Sequence, residues 1–275
     1  MKRPVFHDPD LQATFDRAGF VTLDLLDAAK RAELQELLAG IYRDSTKDNA
    51  RVQSEYELSF FNKDTEYKRR VREAIHGFFA PLLDPILDDY EPLIVNLFNK
   101  VPGTGEVPIH QNWTFVDEAK YTSVSVWVPL CDVARVNGTL EVVPGTHRSL
   151  TPYRSPSIPW VFAGREDEIK EHLMEPLELS FGQVAILDDA ILHYSGDNHS
   201  DADRGTIQLI MKPRGVQAIH YYCPDVEQGE LEVFGVDSDF FAGFDMHARP
   251  EGAEVIDRVH FTYRLATDRE LAPLA

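Results

Sequence analysis

The segment TSVSVWVPL, residues 122–130, alternates polar or aromatic residues with β-branched ones, a pattern typical of a β-strand. Five further segments share this character and are separated by Pro-Gly, Asn-Gly, Phe-Gly and Arg-Gly turn signals. They are PLIVNLFNK (92–100), TLEVVPG (139–145), LELSFGQVAIL (177–187), GTIQLIMKP (205–213) and AIHYY (218–222). This succession of short strands predicts a mainly β core over residues 90–222, folded as a jelly roll or similar double sheet.

The first 89 residues show helical periodicity instead, with one short strand inserted. Capping and helix-breaking residues predict where these elements begin and end. The predicted elements are a helix from Asp8 to Gly19, a strand from Phe20 to Leu26, a helix that begins after Asp27, and a helix from Thr65 through Phe79 that stops before Pro81. We expect these helices to flank the β core.

The segment after the core, residues 223–275, begins with an acidic stretch that is rich in Gly, Asp and Phe. We predict a long ordered loop or lid over residues 224–252. Phe240, Phe241 and Phe244 either cover the mouth of an active site or take part in ordinary packing. No Gly-, Ser- or Pro-rich linker interrupts the chain, so we expect one domain over residues 1–275.

Composition narrows the classes of partner. The 275 residues carry a net charge of −19, which disfavours nucleic acid and anionic membranes as main partners. No apolar run has the length of a membrane span or the character of a signal peptide, so the sequence predicts a cytoplasmic protein. It does not predict the oligomeric state. Cys131 and Cys223 form no disulfide framework, and we interpret them as buried thiols.

Two segments carry residues suited to a metal site, VPIHQNWTFVDE (107–118) and LHYSGDNHSDADRGT (192–206). His110 and Asn112 are two residues apart, so on an extended segment their side chains share one face. His193, 83 residues after His110, could complete a facial set of three ligands from a neighbouring strand. On a hexacoordinate Fe(II) such a set leaves two positions for a 2-oxoacid and one for dioxygen.

A basic residue near this set favours a dicarboxylate cosubstrate. Arg204 stands eleven residues after His193, across one turn on the next strand of the predicted core. Its guanidinium could form a bidentate ion pair with the distal carboxylate of a 2-oxoacid. Thr206 shares the face of Arg204 on a strand and could add a hydroxyl donor.

Asn112 stands where such a site needs an acidic ligand. Its neutral carbonyl oxygen should hold Fe(II) less tightly than a carboxylate would. Asp117 or Glu118 could replace the missing acid if their loop bends back, and an inactivating substitution is a further explanation. Asn112→Asp is expected to tighten Fe(II) binding, because an anionic oxygen holds the cation better. Packing should hardly change, because Asn and Asp are nearly isosteric.

Several motifs together resemble the phytanoyl-CoA dioxygenase superfamily of Fe(II)/2-oxoglutarate oxygenases. They are HQN at 110–112, VWVPL at 126–130, NGTLEVVPGTHR at 137–148 and the H-x10-R-x-T pattern that starts at His193. The likeness covers roughly residues 96–213. It implies a double-stranded β-helix, cupin-like fold in which Asn112 takes the place of the family's Asp. A halide-binding variant is disfavoured because related halogenases carry a small residue there, whereas Asn keeps its bulk.

The resemblance also implies roles for single residues. It makes His110 and His193 iron ligands and Arg204 the partner of the 2-oxoglutarate carboxylate. It further implies that Trp127, Asn96 and Thr206 form walls of the cosubstrate pocket. Outside this set, His147 in the PGTHR motif either adds a third nitrogen ligand or stabilises a turn.

The predicted function is hydroxylation of a small organic molecule, driven by conversion of 2-oxoglutarate to succinate and CO2 at Fe(II). Desaturation or another oxidative outcome fits the same residues. The acidic composition favours a neutral or cationic substrate over a polyanionic CoA ester. The alternative is a non-catalytic oxygenase scaffold that binds a dicarboxylate or another metabolite, which Asn112 would suit. A cupin-type isomerase or lyase would need an acid/base pair that the sequence does not present.

Overall fold

The computed structural model describes residues 2–44, 51–52, 56–243, 245 and 248–272. The helices are α1 (Pro9–Ala18), α2 (Ala28–Asp44), α3 (Thr65–Leu83), α4 (Glu166–His172), α5 (Ser238–Gly243) and α6 (Asp268–Leu271). The first strands are β1 (Phe20–Asp24), β2 (Arg51–Val52), β3 (Tyr56–Leu58), β4 (Tyr90–Lys100), β5 (Val107–His110), β6 (Val124–Pro129) and β7 (Leu140–Val143). The others are β8 (Glu175–Pro176), β9 (Gln183–Asp188), β10 (Leu192–Ser195), β11 (Arg204–Pro213), β12 (Ala218–Tyr222), β13 (Glu230–Val236) and β14 (Glu254–His260). No helix among the described residues is long and apolar enough to cross a membrane.

The strands pair antiparallel in three sheets. A large sheet has the order β1-β9-β6-β11-β4-β3-β2, a second sheet has the order β5-β10-β7-β8, and a third contains β12-β13-β14. Trp127 and Leu187 of the large sheet lie in one buried cluster with Leu140 and Val142 of the second sheet. The two sheets therefore face each other, which confirms the mainly β jelly roll.

The N-terminal helices cover the outer face of the large sheet. Their buried residues Phe15, Leu34 and Ile75 belong to the same core cluster as Ile207 and Leu209 of β11. Residues two apart on a strand share a face, so the intervening positions of β11 point toward the second sheet. The flanking helices that the sequence predicted thus pack against one face, while the other face is left for the site.

Most predicted helix boundaries are confirmed. Asp8 caps α1 by accepting hydrogen bonds from the backbone of the first turn, and Gly19 ends the helix with a φ of 85°. The expected stop before Pro81 is wrong, because α3 continues to Leu83. Pro81 removes the hydrogen bond to the carbonyl of Gly77, but the next turn survives because Asp84 N donates to the Ala80 carbonyl.

Two predicted segments differ from the structure. Only the end of 177–187 forms a strand, because Gly182 has a φ of 114° and its carbonyl accepts hydrogen bonds from the backbone of Leu25 and Leu26. The segment 224–252 was expected to be a long loop or lid, but it contains β13 and α5. Strand β13 is the centre of the third sheet, so its residues are held by ladders on both sides.

Candidate active site

A cavity of about 520 Å³ lies between the large and second sheets. Six of the seven residues singled out for the metal and cosubstrate line it: His110, Asn112, His193, Arg204, Trp127 and Asn96. Its walls are rich in aromatic side chains and include Tyr56, Phe60, Phe61, Phe98, Trp113, Phe115 and Trp160. The fold therefore brings residues from distant parts of the sequence to one concave site.

The two predicted histidine ligands lie opposite each other on neighbouring strands. His110 ends β5 and pairs across the ladder with His193 of β10, and their ring centroids are 4.1 Å apart. The Nδ1 atoms lie 2.8 Å from the Pro108 carbonyl oxygen and 2.9 Å from the Ile191 carbonyl oxygen, respectively. Because a carbonyl oxygen only accepts, each Nδ1 carries the proton and each Nε2 keeps its lone pair.

The electrostatic surroundings keep both rings neutral. Burial lowers the pKa of His110, and burial together with the neighbouring His110 ring lowers the pKa of His193 well below its usual range. A metal ion needs the unprotonated Nε2, so the site is set up to bind a cation without first losing a proton.

Asn112 lies in the same cavity, and its amide nitrogen is already engaged. Nδ2 donates to Asp189 Oδ1 at 2.8 Å and to Ser125 Oγ at 2.9 Å. Oδ1 of Asn112 is therefore the atom left for a metal. In Asn112→Asp the new carboxylate could not donate to Asp189 and would face its carboxylate, so the contacts at position 112 would have to rearrange although the two side chains are nearly isosteric. Burial raises the pKa of Asp189 to about 6, so this carboxyl is ionised above that pH.

The nearby loop carboxylates are engaged elsewhere and do not replace the missing acid. Arg154, itself buried, pairs with Glu118 and also donates from Nε to the Asn112 carbonyl oxygen at 2.8 Å. Asp117 pairs with Lys120 at 2.7 Å. Arg154 thus fixes the backbone of Asn112 and holds Glu118 as its counter-ion.

Arg204 is a buried cation without a carboxylate partner among the described residues, at 2% exposure. Its guanidinium donates to the Gly138 carbonyl at 2.6 Å, to Ser195 Oγ at 3.0 Å and to the hydroxyl of Thr206. Burial lowers its pKa to about 10, so it remains charged at neutral pH. A buried charge of this kind is costly unless an anion neutralises it, which makes a bound carboxylate the expected partner.

Lys100 is a second buried basic residue beside Arg204. Its Nζ donates to Ser195 Oγ at 2.6 Å and to the carbonyls of Ser195 and Gly196 at 3.0 and 2.7 Å. Ser195 therefore joins the two basic side chains. Burial and the neighbouring Arg204 lower the pKa of Lys100 to about 6, so at neutral pH Arg204 carries most of the positive charge at this end of the cavity.

Asn96, Trp127 and Thr206, the three residues predicted as pocket walls, lie on adjacent strands of the large sheet. Asn96 of β4 and Trp127 of β6 both pair with Gln208 of β11, so all three share one face. Asn96 Nδ2 donates to Gln208 Oε1 at 2.9 Å, and the Arg204 guanidinium lies 5.9 Å from the Trp127 ring centroid. Thr206 is buried and supports Arg204 rather than forming a wall of the cavity.

The other residues considered in the sequence analysis lie away from His110, Asn112 and His193, the three candidate metal ligands. His147 contacts the end of α1, with its Nε2 3.2 Å from the Asp16 carbonyl oxygen, and it does not line the cavity. Cys223 is buried and Cys131 half-buried, and both are free thiols. Phe240 and Phe241 pack edge to face with each other, with Phe241 buried in a core cluster. Phe244 lies outside the described residues.

Sequence reasoning missed Ser195, Lys100 and Asp189. Ser195 follows His193 by two residues on β10, so the alternation of a strand could have placed it beside the site. Asp189 contacts Asn112, 77 residues away, and Lys100 contacts Ser195, 95 residues away. No local sequence pattern predicts either contact.

The donor set fits Fe(II). Among the described residues no group of three or more His, Cys, Asp or Glu side chains is placed to hold a metal. Asn112, which carries a side-chain oxygen, lines the same cavity as the paired imidazoles. Two imidazoles and one oxygen that leave open positions are the arrangement of non-haem Fe(II) oxygenases, here with a neutral oxygen.

Comparison with known proteins is consistent with this geometry. The family model of phytanoyl-CoA dioxygenase (PhyH) matches residues 15–206. Phytanoyl-CoA dioxygenase domain-containing protein 1 of Danio rerio is 34% identical over 113 residues, 38% of this chain and 39% of that protein. Human peroxisomal phytanoyl-CoA dioxygenase is 27% identical over 155 residues, 53% of this chain and 46% of that protein. The match thus spans less than two thirds of either relative.

Solved structures share the fold at low sequence identity. SnoK, a non-heme alpha-ketoglutarate-dependent carbocyclase from nogalamycin biosynthesis, has a TM-score of 0.57 at 15% identity, over 81% of this chain and 89% of that one. EctD from S. alaskensis with 2-oxoglutarate and 5-hydroxyectoine has a TM-score of 0.55 at 20% identity, over 80% and 83%. HygX from Streptomyces hygroscopicus with nickel, 2-oxoglutarate and hygromycin B has a TM-score of 0.53 at 13% identity, over 76% and 88%.

The family match covers well over half of the chain and includes His110, Asn112, His193 and Arg204. The structural neighbours show independently that this chain shares its fold with proteins that bind or depend on 2-oxoglutarate. The chain belongs to the phytanoyl-CoA dioxygenase family.

Proposed function

We propose that this protein is a non-haem Fe(II)/2-oxoglutarate-dependent oxygenase that hydroxylates a small organic molecule. The observation that carries the proposal is the position of Arg204, a buried cation without a carboxylate partner among the described residues, in the cavity that also holds the paired histidines. A metal chelated by one end of 2-oxoglutarate and an arginine paired with the other end would satisfy both features.

The cavity residues fall into two groups, one that would bind the metal and one that would bind 2-oxoglutarate. His110, His193 and Asn112 Oδ1 would hold Fe(II), while Arg204 would bind the distal carboxylate with support from Thr206 and Ser195. Trp127 lies beside the guanidinium and limits the access of water to that ion pair. Asn96 stands on the same face of the sheet as Trp127, at the wall of the same cavity.

Fe(II) in this site would supply the dioxygen chemistry, in which 2-oxoglutarate loses CO2 and becomes succinate. The balanced reaction is substrate C–H plus 2-oxoglutarate plus O2, giving substrate C–OH, succinate and CO2. One oxygen atom enters succinate and the other enters the product. The protein binds and orients the two organic molecules and excludes water from the cavity.

The cavity indicates the class of substrate. Phe60, Phe98, Trp113 and Phe115 give it aromatic walls, which suit an apolar or flat portion of a small molecule. The net charge of −19 favours a neutral or cationic compound over a CoA ester. Structural neighbours solved with hygromycin B or 5-hydroxyectoine bound support a small-molecule substrate.

The proposal is tested by turnover of 2-oxoglutarate. Protein purified without oxygen is supplied with Fe(II), 2-oxoglutarate and air, alone and with a panel of small neutral and cationic compounds. We expect succinate and CO2 in equal amounts, dependent on Fe(II) and stimulated by an accepted substrate. Binding of 2-oxoglutarate without any succinate release under every condition would contradict the proposal and support the non-catalytic binding protein.

A further inference from the structure

Asp189 is a buried carboxylate next to Asn112, the neutral residue that stands where an acidic metal ligand was expected. It is 1% exposed and lies on the turn between β9 and β10, four residues before His193. Its Oδ1 accepts hydrogen bonds from Asn112 Nδ2 at 2.8 Å and from Ser125 Oγ at 2.7 Å. The negative charge missing from position 112 is therefore present one hydrogen bond away.

The Asp189 carboxylate also fixes the orientation of the neighbouring Asn112 and Gln208 side-chain amides. Ser125 gives its single proton to the acceptor-only carboxylate, so it must accept from Asn112 and from Gln208 Nε2 at 3.3 Å. Gln208 then presents its carbonyl oxygen to Asn96 Nδ2. The amide nitrogen of Asn112 is thereby held on the Asp189 side, and its carbonyl oxygen is the atom that remains for the cavity.

We propose that Asp189 is the positioning residue of the metal site. It holds the Asn112 amide with the carbonyl oxygen toward the metal and supplies, from behind that ligand, the negative charge that a directly bound carboxylate would carry. The inference rests on the proposed function, since it assumes a metal at His110 and His193. Outer partners of this kind orient a ligand and raise the affinity of the site for its cation.

The contact between Asn112 and Asp189 predicts different effects for the two single variants and for the double variant. Asn112→Asp alone places two carboxylates at hydrogen-bond distance, with the single hydroxyl proton of Ser125 to share between them. Asp189→Asn alone removes the charge and allows either end of the Asn112 amide to pair with position 189. The double variant Asn112→Asp/Asp189→Asn keeps one carboxylate and one amide in contact and only exchanges their places.

The experiment measures Co(II) binding by calorimetry, without 2-oxoglutarate, in the wild type, both single variants and the double variant. We expect Asp189→Asn to weaken Co(II) binding by about 10-fold or more, as is typical for the loss of an outer partner. The double variant is expected to recover most of that loss. In metal-free protein, the Tm of Asn112→Asp is expected to lie below that of the wild type and of the double variant.

Asp188→Asn is the matched control. Asp188 is a buried carboxylate on the same turn, but its Oδ1 accepts from the backbone of Ala190 instead of from Asn112. This control removes a buried carboxyl group from the same turn and should bind Co(II) far better than Asp189→Asn. Equal Co(II) affinity of Asp188→Asn and Asp189→Asn, or no recovery in the double variant, would show that Asp189 only supports the fold.

The design remains decisive if Asp189→Asn alone does not fold. Adding Asp189→Asn to the Asn112→Asp protein must then raise its Tm and leave its Co(II) affinity close to that of the wild type, and a lower Tm or binding far weaker than in the wild type would overturn the inference. Because Co(II) binding requires no turnover, the result is separate from the proposed function. A protein that shows the expected binding pattern but never releases succinate would disprove the oxygenase activity and leave the role of Asp189 intact.

Discussion

His193→Ala is expected to lower the affinity for divalent metal by more than about 100-fold, beyond the 10- to 100-fold range typical of outer partners. His193 and His110 present neutral Nε2 atoms from directly opposed positions of two strands, and Asn112 alone offers only a neutral oxygen. Without one imidazole, the remaining protein donors are too few to hold Fe(II). Calorimetric titration with Co(II) measures the change.

His147→Gln is the informative control for this prediction. His147 stands in the motif that made it an alternative nitrogen ligand, but it contacts Asp16 at the end of α1 and is absent from the cavity lining. We expect the variant to bind Co(II) like the wild type. Loss of metal in His147→Gln, or retention in His193→Ala, would contradict the assignment of the ligands.

Arg204→Ala is expected to lose about 2 kcal/mol or more of 2-oxoglutarate binding, roughly a 30-fold increase in Kd. The expected ion pair is buried, so solvent cannot replace the missing guanidinium. Arg204→Lys keeps a charge but lacks the planar fork, and we expect it to recover only part of the affinity. The measurement is calorimetric titration with 2-oxoglutarate in the presence of Co(II).

A surface arginine separates this effect from the loss of net charge. Arg148 is exposed, and Arg148→Ala should leave the affinity for 2-oxoglutarate unchanged. Unaltered 2-oxoglutarate binding by Arg204→Ala would remove the cosubstrate assignment. A loss of Co(II) affinity of similar size in Arg204→Ala would instead indicate general damage to the cavity.

The sequence predicted the parts of the fold that local patterns encode. Alternating residues identified β4, β6, β11 and β12 within a few residues of their observed ends, and Asp8 and Gly19 marked the limits of α1. The segment 177–187 was divided by the backbone turn at Gly182, whose role depends on a contact with Leu26 far away in the sequence. Tertiary contacts also kept α3 helical beyond Pro81.

The candidate site shows the same division. His110, His193 and Arg204 could be selected because their residue types and spacing carry the chemistry. The consequence of Asn112 could not be predicted, because it depends on Asp189, which reaches it only through the turn that joins β9 and β10. In the proposed site, Asn112 and Asp189, which look unrelated in the sequence, would together provide the oxygen ligand and the charge that one aspartate would provide.

The most direct test of the central claim is a crystal structure of the protein with Fe(II) and 2-oxoglutarate, prepared without oxygen and measured at the iron absorption edge. The account predicts one anomalous peak within about 2.0 to 2.3 Å of Nε2 of both His110 and His193. Asn112 Oδ1 should be a further ligand, and 2-oxoglutarate should extend from the metal to Arg204. An iron peak elsewhere, or a 2-oxoglutarate carboxylate that does not contact Arg204, would contradict the account.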